Sequence, residues 1–329
     1  MWPKRFKRLR RSRNNSLHKA RIASSPSVLS AGNRRQSMSL VRRQEIRLGW
    51  LLVLPLVVVM VALVYYPLSL GLLMSLRSII FSLGIPQRFV GIRNYVDVLA
   101  SPDTHAAMIH TAAFVLVAVS VEIVLGMSIA LALNRHFRGR SLIFAVLILP
   151  WALPAVVNGL LWSRIFNPDS GLLNALLLNL GIIHAPKVWF ASPVWSIVFI
   201  GLVHAWGIVP LTSLIILAGL QAIPNELYTA SAVDGATGIR QFRHITFPLL
   251  RPALAIALTT GTVIALAIFD EIYVLNGTAL DTRSLMMQVY LTTFQDLDFG
   301  HGAALAFVLT AVTGIFALQY IIVLKRVSQ

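Results

Sequence analysis

Ile223–Pro252 reads IPNELYTASAVDGATGIRQFRHITFPLLRP, a polar, basic stretch caught between two long apolar segments. A plain connection between two membrane helices needs only a few residues, so about thirty organised ones indicate a docking surface. Pro224 ends the preceding apolar segment, and Asn225 is placed to cap a new helix. Leu227, Ala230 and Val233 fall at i, i+3 and i+6, which gives that helix one narrow apolar face. Asp234-Gly235 ends it, the glycine supplying a turn that a side chain resists. A second short helix places Ile239, Phe242 and Ile245 on one face, with Arg240, Arg243 and His244 elsewhere. Pro248 and Pro252 mark the return to apolar sequence. A surface hairpin tucked under a helical bundle is the plainer alternative.

The composition around this stretch fixes the class. Hydrophobic residues make up 57% of the chain and charged ones 12%, and the mean hydropathy is +0.76, which belongs to membrane proteins. A hydrocarbon core of about 30 Å needs about 20 apolar residues per helix. Six stretches meet that need: 49–75, 110–132, 141–163, 194–220, 252–275 and 303–324. None alternates as a barrel strand does, so the expectation is an all-α protein with six spans. The fifth is the weakest, because Asp270 and Glu271 cut its apolar run at Phe269. Pro150 and Pro154 are expected to kink the third. The absence of cysteine excludes disulfides and thiolate metal sites.

Lysine and arginine set the orientation. With both termini cytoplasmic, that side carries 22 basic residues, including Arg240, Arg243 and Arg251, against six outside. The positive-inside bias therefore puts the Ile223–Pro252 loop in the cytoplasm. Fourteen basic residues and a single acid, Glu45, lie in residues 1–47, which account for most of the +16 net charge. That segment reads as a disordered, solvated tail that can touch anionic lipid. It also resembles an organelle transit peptide in being arginine-rich and acid-poor. The first apolar run is too long for a cleavable secretory signal. Residues 48–326 then form the membrane domain. No folded nucleic-acid reader accompanies the basic run, so no nucleic-acid partner is expected.

Catalytic chemistry is not in view. None of the five lysines follows a glycine, so no phosphate-binding loop is present, and no metal-binding or nucleophile motif occurs. The chain reads as a non-enzyme that binds no metal or cofactor.

Thr229-Ala230-Ser231, Gly235, Ile245 and Phe247-Pro248 resemble the EAA loop of bacterial ABC importer permeases. That pattern runs Glu-Ala-Ala, three residues, Gly, nine residues, Ile, one residue, Leu-Pro, and every spacing is kept. Thr229 stands where the family usually has Glu, Ser231 where it has Ala, and Phe247 where it has Leu. FVGIRNYVDVL (Phe89–Leu99), LPWALPAVVNGLLW (Leu149–Trp162), FNPDSGLLN (Phe166–Asn174), FDEIYVLNG (Phe269–Gly277) and DFGHGAALA (Asp298–Ala306) extend the resemblance. They are similar to permeases of the maltose and glycerol-3-phosphate type, and GLLN favours the first permease of a heterodimeric pair.

This resemblance implies the type I importer (MetI-like) fold in a bacterial inner membrane, with the chain forming half of a pore. A second permease subunit completes the pore, and an extracytoplasmic solute-binding protein delivers a sugar or sugar-like solute. Two ATPase subunits bind ATP and Mg. Their closure moves the docked loops and opens the pore outward. Glu226, Thr229, Ala230, Ser231, Asp234, Gly235, Ile245 and Pro248 are the expected coupling residues. With Thr229 replacing the family's carboxylate, docking rests on shape, small residues and the neighbouring Glu226.

The expected substrate path takes Asn158 and Trp162 from the third helix and His204, Trp206, Gly207, Ile208 and Leu211 from the fourth. Asp270 and Tyr273 join it from the fifth. His204, Gly207, Ile208 and Leu211 fall where the resemblance implies sugar contacts, with His204 in place of an Asn. Rings stack on apolar sugar faces while amides bond hydroxyls; packing between helices is the alternative for each residue taken singly. Glu122 reads as interhelical structure. Asp270 and Glu271 read as an interfacial turn near the outer mouth, with gating or partner contact as alternatives. Glycerol-3-phosphate or a phosphodiester is the alternative cargo. A secondary transporter or a membrane scaffold is the alternative class, although six spans with one buried acid suit the former poorly.

Overall fold

A computed structural model of the chain describes residues 49–80, 87–135 and 137–327. The basic tail expected over residues 1–47 lies outside them. Two units make up the chain, Met1–Ser69 and Leu70–Gln329.

Among the described residues five helices are long and apolar enough to cross a membrane: Gly49–Ser75, Pro102–Leu133, Pro193–Gln221, Ile239–Leu266 and Phe299–Tyr320. The pair Arg140–Ala152 and Ala155–Ile165 makes a sixth if the two are taken as one span. The prolines there do more than kink the helix: its two halves meet at 100°. Pro154 has no N–H and its ring drives Leu153 into extended backbone, ψ 137°, so the helix stops and restarts.

The fifth span differs most from expectation. It starts at Ile239 and stops at Leu266, against an expected 252–275. Ile239–Gln241, a π-turn over Phe242–Thr246 and the helix Phe247–Leu266 run on without interruption. The expected second short helix of the loop is thus the first two turns of the span. Pro248 follows closely on the π-turn, whose wider hydrogen-bonded ring lets the helix run on past a residue that has no N–H to give. A π-turn over Val61–Tyr65 likewise precedes Pro67 in the first span. Beyond Leu266 the chain breaks at Phe269 and forms a separate short helix, Asp270–Asn276.

Glycines set how closely the spans pack. A Cβ on Gly126 would come within 2.7 Å of Thr212, and one on Gly201 within 2.8 Å of Val117, so the second and fourth spans meet backbone to side chain. Next to the loop, Ala130, Leu133, Ile216, Leu220, Leu250 and Leu254 form a buried apolar cluster. At the far end Phe114, Ile200, Ile268 and Ile272 form another.

The FVGIRNY segment has a structural task. Arg77–Ser78 and Arg88–Phe89 pair as a short antiparallel ribbon. Asn94, at the start of the helix Arg93–Ala100, donates from Nδ2 to the carbonyls of Ser75 and Arg77, both at 2.8 Å. It satisfies carbonyls that the end of the first span leaves unpaired.

Candidate functional site

The loop between the fourth and fifth spans is built around the helix Asn225–Val233. Pro224, not Asn225, is its N-cap; Asn225 is already helical and its carbonyl accepts the Thr229 hydroxyl at 3.2 Å. Glu226 lies in the first turn, where a carboxylate complements the helix dipole. The far end is a Schellman turn. Ala236 donates to the Ser231 carbonyl at 2.8 Å, Gly235 donates to Ala232 at 3.1 Å, and Gly235 holds φ +77°.

The two faces of this helix differ. Tyr228 and Ser231 look inward, where Gln241 Nε2 donates to the Tyr228 carbonyl at 3.2 Å and to Ser231 Oγ at 3.0 Å. Tyr228 Oη also lies 3.0 Å from Thr246 Oγ1, and Tyr228 and Ile245 pack on the apolar cluster beneath. Leu227, Ala230 and Val233 look outward, with Val233 84% exposed, and Ile239 nearby is 79% exposed. Of the expected coupling residues, Glu226, Thr229, Ala230, Asp234 and Gly235 are at the surface, whereas Ser231, Ile245 and Pro248 are partly buried in the seat.

The expected path residues fall into three places. Trp162 and Trp206 meet edge to face, 5.6 Å apart at 81°, and line a cavity of about 590 Å³ with Pro150, Leu153 and Pro210. Asn158, His204 and Gly207 are interior. Asn158 Nδ2 donates to the Val203 carbonyl at 3.3 Å, and a Cβ on Gly207 would come within 3.2 Å of that same nitrogen. Ile208 and Leu211 are half-buried and do not line the cavity. Asp270 and Tyr273 sit on the separate short helix. There Tyr273 stacks on Phe269 at 5.7 Å, and Tyr290 and Phe294 continue the ring series.

Asp270 and Glu271, neighbours in the expected interfacial turn, part company in the structure. Asp270 is half-exposed, and burial with the nearby Glu271 charge raises its carboxyl pKa. Glu271 is 5% exposed and lies 3.0 Å from Nδ1 of His204, itself 5% exposed. Neighbours at a helix start point about 100° apart, so one faces out and the other in. The readable signal was His204: an imidazole in a span asks for an acidic partner, and few acids are available. Glu122, 1% exposed, is as interior as sequence reasoning expected.

A second polar cluster lies outside the interior. His301 Nδ1 bonds Asp298 Oδ2 at 2.7 Å, and its Nε2 lies 3.6 Å from Asp97, which pairs with Arg93 at 3.7 Å. Burial alone would raise the Asp298 carboxyl, but hydrogen bonds from the His301 ring and backbone outweigh it and hold the carboxyl below its usual value.

Several apolar helices long enough to span a membrane, with a loop helix set outside them, define a multi-pass helical membrane protein. The chain belongs to the family described as binding-protein-dependent transport system inner membrane component, whose profile matches residues 122–329. It is 35% identical over 294 residues to the trehalose/maltose transport system permease protein MalF of Thermococcus litoralis, covering 88% of this chain and 97% of that one. To the sulfoquinovosyl glycerol transport system permease protein SmoG of Agrobacterium fabrum it is 33% identical over 280 residues, covering 84% and 90%. A bacterial ABC transporter that imports the acidic polysaccharide alginate shares its fold, with a TM-score of 0.75 at 21% identity over 87% of this chain and 99% of that one. The chain is accordingly an ABC importer permease of the inner membrane, a membrane subunit and not an enzyme.

Proposed function

We propose that this permease forms half of the pore of an ATP-driven importer for a sugar or sugar-like solute, and that the helix Asn225–Val233 is the handle an ATPase subunit grips. The observation that carries the coupling role is the apolar row Leu227, Ala230 and Val233, held at the surface by a seat that uses the opposite face. Burying a leucine or valine is worth about 1.5–3 kcal/mol each, so such a row is sticky by design. Thr229 spends its hydroxyl on its own helix, which leaves Glu226 as the acid in the first turn of this helix.

Relatives named for trehalose, maltose and sulfoquinovosyl glycerol support a sugar-type cargo. The Trp162–Trp206 corner suits a sugar, since each ring offers an apolar face beside a polar N–H. The partners in this reading are a second permease, two ATPase subunits holding ATP and Mg, and an extracytoplasmic solute-binding protein. Both termini and the loop face the cytoplasm, and residues 48–326 form the working domain.

The test is Ala230→Glu, with deletion of Gly235 as a second variant. Both are expected in the membrane at normal levels, without retention of the ATPase subunit on purification and without uptake of radiolabelled trehalose or maltose. Retained ATPase with unchanged uptake would overturn the docking role. Retained coupling with uptake of glycerol-3-phosphate alone would replace the cargo.

A further inference from the structure

The interior cluster has one closed link and one open one. His204 Nδ1 and Glu271 Oε1 are 3.0 Å apart, a hydrogen bond in which Nδ1 donates when the carboxylate is the acceptor. The other ring nitrogen, Nε2, has no hydrogen-bond partner, and neither has Oε1 of Glu122 in the second span. Glu122 and His204 lie at one level of the second and fourth spans, between the Gly126–Thr212 and Gly201–Val117 contacts. Glu122 Oε2 is pressed against the fifth span at Gly261, where any Cβ would collide with it. The two orphans are complementary, because one proton shared between Nε2 and Oε1 gives each its missing bond, whichever group it starts on. Buried polar atoms are rarely left unpaired, and a matched pair left open calls for a second arrangement in which it closes.

The element held by the closed link is suited to movement. Asp270–Asn276 hangs between the break at Phe269, φ −144°, and Gly277, φ +63°. It is also held by Ile272 in the cluster with Phe114, Ile200 and Ile268, by Val274 against Gly159, and by Asn276 Nδ2 donating to Thr282 Oγ1 at 2.6 Å. We propose that Glu122, His204 and Glu271 form a two-position latch. The His204–Glu271 bond holds the short helix down in this conformation, and a His204–Glu122 bond replaces it when that helix lifts. A transport component must exchange between conformations, and a swap between two carboxylates gives the imidazole one bond in each, through Nδ1 here and through Nε2 when the helix lifts. The latch rests on membership of the transport family and not on the sugar or loop readings.

The reporter is Ile272→Cys. Ile272 is on the buried face of the short helix, and the sequence has no cysteine. Labelling by N-ethylmaleimide is timed in membranes containing the full chain. Glu271→Gln is expected to speed labelling about tenfold, the scale of losing a hydrogen bond to a charged group. Glu122→Leu removes the alternative partner and is expected to slow it about threefold. His204→Asn keeps an amide donor for Glu271 but loses Nε2, so it is expected to label as slowly as Glu122→Leu. It serves in place of that variant if Glu122→Leu fails to accumulate. Labelling of Glu122→Leu or His204→Asn at the parent rate or faster would overturn the latch, as would an unchanged rate in Glu271→Gln. A wrong cargo or docking partner would leave these opposed shifts intact, so the two failures are distinguishable.

Discussion

The loop helix and the interior cluster invert the usual rule in opposite directions. At the loop, Leu227, Ala230 and Val233 lie at the surface where polar groups belong, while in the bundle Glu122, His204 and Glu271 lie among spans where apolar groups belong. Each inversion is costly for one chain alone: exposed apolar area forgoes burial, and a buried charge demands a partner. Under the proposed docking the loop would be completed by a partner from outside, since its inner face is engaged and its outer face is bare. Under the proposed latch the interior would be completed by a rearrangement, since its orphan atoms match one another. A missing partner and a missing conformation would thus leave different marks on a fold.

Charge at the bare face is the strongest way to break this contrast. Val233→Glu is expected to cut uptake more than a hundredfold while membrane levels hold, because docking would bury an unpaired carboxylate at several kcal/mol; uptake assays beside immunoblots check it. Gly261→Val attacks the other side. Its side chain collides with Glu122, and overpacking of about 1–3 kcal/mol is expected to lower the thermal midpoint of the detergent-purified chain. A normal midpoint there would mean the interior is slack. Gly235→Ala is milder. The left-handed turn costs a side chain about 1–2 kcal/mol, so a several-fold fall in uptake with intact assembly is expected. The smallest effect concerns the outer Asp298–His301 pair, a polar cluster with all its bonds made. The folded carboxyl titrates below its usual value, so its contribution is complete above about pH 4 and disappears as pH falls through the folded value. Thermal midpoints of the parent are expected to fall in that acid range, and Asp298→Asn to lack this component.

Much of the architecture was legible because each span must supply an unbroken apolar run. The loop helix was legible through its punctuation, Pro224 and Gly235. The start of the fifth span was not. Arg240, Arg243 and His244 make Ile239–Thr246 look like loop, yet they point to the surface while Phe242 and Ile245 turn in and the helix simply continues. Two prolines located the break in the third span but could not give its angle, which depends on what the second half packs against, here Val274 on Gly159. Among candidate path residues, the Trp162–Trp206 corner followed from matched heights on two helices. The His204–Glu271 bond did not, because it joins positions 67 residues apart through a short helix that apolar periodicity merged with the fifth span.

The unbroken run from Ile239 to Leu266 has a mechanical consequence. Twenty-eight residues at helical rise make a rod of about 42 Å, with one end in the loop and the other against the hinge at Ala267–Phe269. A tilt of about 5° pivoted at the loop end carries the far end through about 4 Å, roughly the width of a side chain. The π-turn near the loop adds one residue per turn and so resets the angular phase between the loop end and the shaft, and with Pro248 and Pro252 it puts the bendable part of the rod at that end. A tilt imposed there would therefore be felt mainly at the far end, next to the short helix.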